Sequence, residues 1–121
     1  MSCKLTVRET DGVTVIDVSG RLTLGGGAAS LREMLHGLTA TRQRNILLNL
    51  DEVTDMDSSG IGLLVSSFAS IARNGGTLKL VNLSPKIKDL LLITKLYTVF
   101  EVHDDEAVAI RSFSGVQRVH A

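Results

Sequence analysis

The run Asn45-Ile46-Leu47-Leu48-Asn49-Leu50 constrains the fold more than any other feature of the chain. In a strand, successive side chains point to opposite faces, so adjacent apolar residues cannot all be turned away from water by one neighbouring layer. Such a strand is central in a sheet and is covered on both faces or nearly so. The rest of the chain therefore has to supply neighbouring strands and covering helices.

It does so in order. Leu5 and Val7, then Val13, Val15, Ile16 and Val18, read as two strands separated by the turn signal Thr10-Asp11-Gly12, an antiparallel hairpin. Gly25-Gly26-Gly27 breaks that pattern, and Leu31, Met34, Leu35 and Leu38 recur at helical spacing. Across residues 59–73, Ile61, Leu64, Val65, Phe68, Ile71 and Ala72 repeat at three- and four-residue steps, the mark of a helix with these residues inward. Gly62, Ser66, Ser67 and Ser70 then face outward, with Leu63 as an apolar side chain pointing away from the core. Asn74-Gly75-Gly76 stops this helix, and residues 77–81 form the next strand. Ser84-Pro85 reads as an N-cap and a first-turn proline, opening a third helix to about Lys95. Residues 99–102 suit a last strand, and Asp104-Asp105 open a final helix through Ala107, Val108 and Arg111. From Ser112 the pattern weakens, which marks residues 112–121 as a C-terminal tail free to move. The expected class is α/β: a mixed sheet of about five strands with about four helices packed against it.

Composition limits the function. With 121 residues, 44% of them hydrophobic, there is one core and no room for a second domain. The 13 basic and 13 acidic side chains cancel, so no long-range positive field gathers nucleic acid or an anionic membrane surface. Cys3 has no second thiol for a disulfide or a zinc site, which suits a reducing compartment, and the N-terminus carries no apolar run of signal-peptide or membrane-spanning length. A cytoplasmic protein without membrane insertion is expected. His36, His103 and His120 show no metal-ligand spacing, and Gly25 to Gly27 lack the lysine and hydroxyl of a phosphate-binding loop. A serine hydrolase would need a base near its nucleophile, and neither a Gly-x-Ser-x-Gly run nor a paired histidine is present. The chain reads as a binding protein, not an enzyme, with no cofactor and no metal.

The chemistry concentrates in Asp51-Glu52-Val53-Thr54-Asp55-Met56-Asp57-Ser58-Ser59-Gly60-Ile61-Gly62, where the chain leaves the central strand and enters a helix. Partners and ligands of α/β sheets usually meet the fold at that edge. Ser58 stands at the helix start, where unpaired N–H groups and the helix dipole would accept an added phosphate without disturbing the core. A phosphate brings about −1.5 to −2 charges to an edge already carrying Asp51, Glu52, Asp55 and Asp57, which would repel an acidic partner surface. Asp57, Ser58 and Ser59 are also ordinary capping residues. Capping does not explain Gly60 and Gly62, since each glycine costs a helix roughly 1 kcal/mol relative to alanine.

Asp57-Ser58-Ser59-Gly60-Ile61-Gly62, with Gly75-Gly76, Asn82-Leu83-Ser84-Pro85, Leu90-Leu91, Thr94-Lys95-Leu96 and Phe100, resembles the STAS domain of anti-sigma-factor antagonists over residues 4–111. The resemblance implies that Ser58 is phosphorylated by an anti-sigma factor that is itself a serine kinase, and that a serine phosphatase reverses this. Unphosphorylated protein would bind the anti-sigma factor and free its sigma factor; phosphorylated protein would let go. Asp57 would orient or tune the acceptor hydroxyl, and Thr23, Asp55, Asp57, Ser59, Gly60, Gly62, Leu63 and Ser66 would form the partner surface. Leu63 also permits a homodimer. Gly20-Arg21-Leu22-Thr23 departs from the family's usual Gly-x-Leu-Asp, and Lys95 replaces a C-capping glycine. The same fold serves as a scaffold in stress-sensing assemblies and as an accessory subunit of lipid-transport ATPases, so those roles stand as alternatives.

Overall fold

The computed structural model describes the backbone of residues 3–118 and the side chains of residues 3–113. Its elements are β1 (Cys3–Thr10), β2 (Val13–Leu22), α1 (Ala28–Ala40), β3 (Asn45–Met56), α2 (Ser58–Arg73), β4 (Thr77–Val81), α3 (Pro85–Ile93), β5 (Val102–His103) and α4 (Glu106–Arg118). The five strands lie side by side in chain order; β1 and β2 are antiparallel and the remaining neighbours are parallel. Successive right-handed crossovers between adjacent parallel strands place their helices on one face of the sheet. That is where α1, α2 and α3 pack, while α4 crosses the other face.

The central run Asn45 to Leu50 explains this two-sided packing. Ile46, Leu48 and Leu50 join Ile16, Val18, Leu31, Leu64 and Ile87 in the core under α1 to α3. Leu47 points the other way and packs with Val13, Val15, Val81, Ala109 and Phe113 under α4. Lys79 shares that second face, almost fully buried, where it donates to Ser112 Oγ at 2.6 Å, pairs with Glu101 at 2.9 Å and lies over the Phe113 ring. At the sheet edge Arg8 joins Asp17 and Glu106, tying α4 to the hairpin.

Four details differ from the sequence expectation. β3 runs on to Met56 instead of ending near Leu50. Register shifts in the β2–β3 pairing, at Asp17/Ser19 and Gly20/Arg21, put the buried side chains Val53 and Met56 three residues apart, which hides the strand's period of two. Gly20, at φ 98°, supplies the left-handed backbone that this irregularity uses. The last strand is Val102–His103, later and shorter than residues 99–102. Helix α4 crosses the boundary expected at Ser112 and buries Phe113; of the expected tail, residues 119–121 and the side chains from 114 lie outside the described residues, as does His120. Ser84 does occupy the N-cap position of α3, but its hydroxyl donates to the Val53 carbonyl oxygen at 3.0 Å and so fastens α3 to β3.

Candidate functional site

The end of β3, the turn after β2 and the first turn of α2 meet at one edge of the sheet. Leu22 is in register with Met56, so Thr23 and Leu24 leave β2 beside Asp57. Asp57 is the N-cap of α2, in extended backbone conformation, and its Oδ1 accepts from the N–H groups of Ser59 at 2.9 Å and Gly60 at 3.2 Å. Its Oδ2 accepts from the Leu24 N–H at 3.0 Å, across from the other loop. The Leu24 bond first, then those from Gly60 and Ser59, hold the Asp57 carboxyl below the usual carboxylate range. This carboxylate therefore clips two loops together and takes N–H groups that an added phosphate was expected to use. Both oxygens accept from backbone, and among the described residues no hydrogen bond joins Asp57 to the Ser58 hydroxyl.

Ser58 follows as the first residue of α2 and is exposed. Among the described residues, no side-chain hydrogen bond engages its hydroxyl. Above it on the same stripe, at helical spacing, Gly62, Val65 and Ser66 are exposed too. Gly62 leaves open space where a Cβ would stand. Gly60 has the opposite character: a Cβ there would lie 2.2 Å from the Leu22 carbonyl oxygen, so glycine is what lets α2 enter this close to β2. Ser59 is half-buried beside it, and Ser66 donates to the Leu63 carbonyl oxygen within its own helix.

Leu63 is corrected outright. It is fully buried, with Gly60, Leu64, Ser67 and Ile71 making up the inner face of α2. The actual stripe is rotated from the expected one: Ser67 turns inward while Val65 and Ala72 turn outward, because Gly60 and Ser67 are small enough to be overlooked as core positions. An apolar partner anchor or homodimer contact at Leu63 loses its basis. The apolar side chain that does stand free beside Asp57 and Ser58 is Leu24, 78% exposed, which sequence reasoning missed. Its signal was a leucine held between Thr23 and three glycines in a segment that reads as loop. That loop is not slack: the Gly26 and Ala28 N–H groups donate to the Thr23 carbonyl oxygen and Gly27 N–H to that of Arg21.

The acidic run is dispersed. Asp55 lies opposite Arg21 in the sheet and pairs with Lys86 at 3.4 Å, and Asp51 lines a different cleft with Lys88, Tyr97 and His103. Among the described residues, no group of histidine, cysteine and carboxylate side chains is placed to hold a metal ion, and no helix is long and apolar enough to cross a membrane.

With this geometry in view, the comparisons with known proteins are specific. The STAS domain family model matches residues 4–109, and the chain belongs to that family. It is 30% identical over 117 residues to the anti-sigma-B factor antagonist of Bacillus subtilis (strain 168), covering 97% of this chain and all (100%) of the relative. The anti-sigma factor antagonist SpoIIAA in its unphosphorylated form superposes with a TM-score of 0.79 at 21% identity, over 93% of this chain and 97% of that one. The same Bacillus protein in its phosphorylated form superposes with a TM-score of 0.69 at 21% identity, over 90% and 99% of the two chains. The curated relatives are named as anti-sigma-factor antagonists, and the five-stranded mixed sheet with four helices is the fold of these neighbours.

Proposed function

We propose that this chain is an anti-sigma-factor antagonist that works in the cytoplasm by binding, not by catalysis. Unphosphorylated, it holds an anti-sigma factor with serine-kinase activity; phosphorylated on Ser58, it releases that partner, and a serine phosphatase restores the binding form. The observation that carries this reading is the exposed, unengaged Ser58 hydroxyl at the entrance of α2.

In the transfer step, Ser58 Oγ bonds to the γ-phosphorus of ATP held by the kinase, the bond from that phosphorus to the bridging oxygen breaks, and ADP leaves. The hydroxyl proton passes to a base on the kinase, because the backbone N–H groups that hold the Asp57 carboxyl below the usual carboxylate range make it a poor proton acceptor. Asp57 already takes the Ser59 and Gly60 N–H groups, so the new phosphate finds few free donors in the helix end and faces the partner surface. Facing one partner carboxylate at ~5 Å in a medium of dielectric constant about 40, each phosphate charge costs roughly 1 to 2 kcal/mol, about tenfold or more in affinity. Thr23, Leu24, Asp57, Ser59, Gly62, Val65 and Ser66 make the surface that surrounds it, Gly62 letting the partner approach the helix backbone; Asp55 borders it and Gly60 seats it.

The test is phosphorylation of the whole chain by the partner kinase with ATP, mapped by mass spectrometry, beside pull-downs of Ser58→Ala and Ser58→Asp. Modification confined to Ser58, with Ser58→Ala retaining the partner and Ser58→Asp losing it, is the expected result. Equal capture by both variants would instead favour a constitutive scaffold.

A further inference from the structure

The switch occupies one end of α2, and the other end borders a feature of different chemistry. Between α1 and α2 runs an open trough of about 440 Å³. Ser66, Ser67 and Ser70 line its α2 side, and His36, Thr39 and Ala40 line its α1 side. Hydroxyl-bearing side chains of this size leave unfilled the space that larger apolar residues would close, over a floor of buried Leu35 and Ile71. A second cleft of about 240 Å³ shares Thr39, Ala40, Ile71 and Asn74 with it and adds Arg42 and Arg44.

Charge is one-sided along both. Arg32 and Arg73 flank the first cleft, Arg42 and Arg44 the second, and no carboxylate lines either. Among the described residues, ion pairs are made by Arg8, Lys79, Lys86 and His103, so these four arginines have no acidic partner. Arg44 alone is committed in part, donating to the Asn74 and Gly75 carbonyl oxygens at 3.5 and 3.3 Å. A chain of formal net charge +0 thus carries a local excess of positive charge over an apolar floor.

We propose that this trough docks an extended, acidic segment of a partner protein, and that it does so whether or not Ser58 is phosphorylated. An apolar floor with cationic walls suits alternating acidic and apolar side chains. Helix α1 advances about 12 Å between Arg32 and Ala40, the span of roughly four extended residues. The trough's lining runs along both helices, from Arg32 to Ala40 on α1 and from Ser66 to Arg73 on α2, which suits a passing chain better than a sequestered small anion. Ser66, where the trough meets the switch surface, lies about 12 Å along α2 from Ser58 and Arg73 about 22 Å, both beyond one Debye length of ~8 Å at physiological ionic strength, so phosphate charge is largely screened along α2 and most fully at Arg73. Such a site would tether a partner through both states of the switch.

The experiment is a backbone-amide NMR titration of the full chain with the peptide acetyl-Glu-Leu-Asp-Leu-Glu-amide, its lysine counterpart and free glutamate as controls. Saturable shifts at Arg32, His36, Ser70 and Arg73 are expected for the acidic peptide alone. They should weaken about tenfold in Arg32→Glu/Arg73→Glu and be unchanged in Ser58→Asp. If the double charge reversal perturbs folding, Ser70→Leu, which fills the trough without changing charge, serves the same purpose. Shifts spread equally over Arg8, Arg21 and Arg111, equal binding of the lysine peptide, or identical shifts with glutamate at the same concentration would overturn the proposal; so would an altered affinity in Ser58→Asp. The outcome is independent of whether Ser58 is a kinase substrate.

Discussion

Replacing Gly60 by alanine tests how the fold sets Ser58 in place. The added Cβ would lie 2.2 Å from the Leu22 carbonyl oxygen and 2.7 Å from Met56 Cγ. Ordinary contact begins near 3.4 Å, so the first clash falls short by about 1.2 Å, and the atom in the way belongs to backbone that β3 holds in register. The methionine can rotate; the carbonyl cannot. The first turn of α2 has to lift away from β2, taking Ser58 with it and stretching the clip between Asp57 and the Leu24 N–H. Overpacking of this kind costs about 3 kcal/mol, which for a domain of this size lowers Tm by about 12 °C. Gly62→Ala is the matched control, because its Cβ meets nothing within 4 Å. It should stabilise the helix by about 0.5–1 kcal/mol and raise Tm by a few degrees. Thermal unfolding followed by circular dichroism at one protein concentration reads both. Equal Tm values for wild type and Gly60→Ala would refute the steric role assigned to this glycine, and a fall in Tm for Gly62→Ala would refute the open surface above the helix.

Leu63→Ala should destabilise by about 2–5 kcal/mol in urea denaturation, as a fully buried leucine does. Leu24→Ala should leave stability within about 0.5 kcal/mol while weakening capture of the anti-sigma partner by about tenfold in surface plasmon resonance. Lys95 sits at φ 63°, so Lys95→Gly should raise stability by about 0.5–1 kcal/mol, read as a higher denaturation midpoint. The hydrogen bond from Arg8 is the main cause that lowers the Asp17 carboxyl, with help from Asn49, and the Arg8 bond likewise lowers Glu106. Groups whose folded values are depressed add stability above their unfolded values and lose it as pH falls through the folded ones. The stability gap between wild type and Arg8→Ala should therefore be full at neutral pH and shrink below about pH 4. A gap that stays constant to pH 3 in guanidinium titrations would contradict this ion-pair linkage.

The layering of the fold was legible because it follows from side-chain patterning that needs no tertiary information. Leu47 between Ile46 and Leu48 demanded cover on both faces, and the helical repeats before and after it supplied helices of the right length. What escaped depended on backbone irregularity or on small residues. The β2–β3 register shifts broke the alternation through Val53 and Met56, so the end of β3 looked like loop. Gly60 and Ser67 carry little hydrophobic signal, and leaving them out of the inner stripe of α2 turned Leu63 outward on paper. The exposure of Ser58 was legible because strand-to-helix edges expose their first helical residue whatever the details. Its neighbour Leu24 was missed because its position depends on a hydrogen bond to a carboxylate 33 residues away, which no local pattern encodes.

Isothermal titration of the partner anti-sigma factor against two preparations of this chain, one unmodified and one carrying a single phosphate at position 58, decides whether the exposed hydroxyl governs association. Affinity at least about tenfold weaker for the modified preparation, with both showing the same thermal unfolding, is the expected result. Equal affinities for the two preparations would contradict it, and the protein would then be a permanent partner whose surface serine carries no signal.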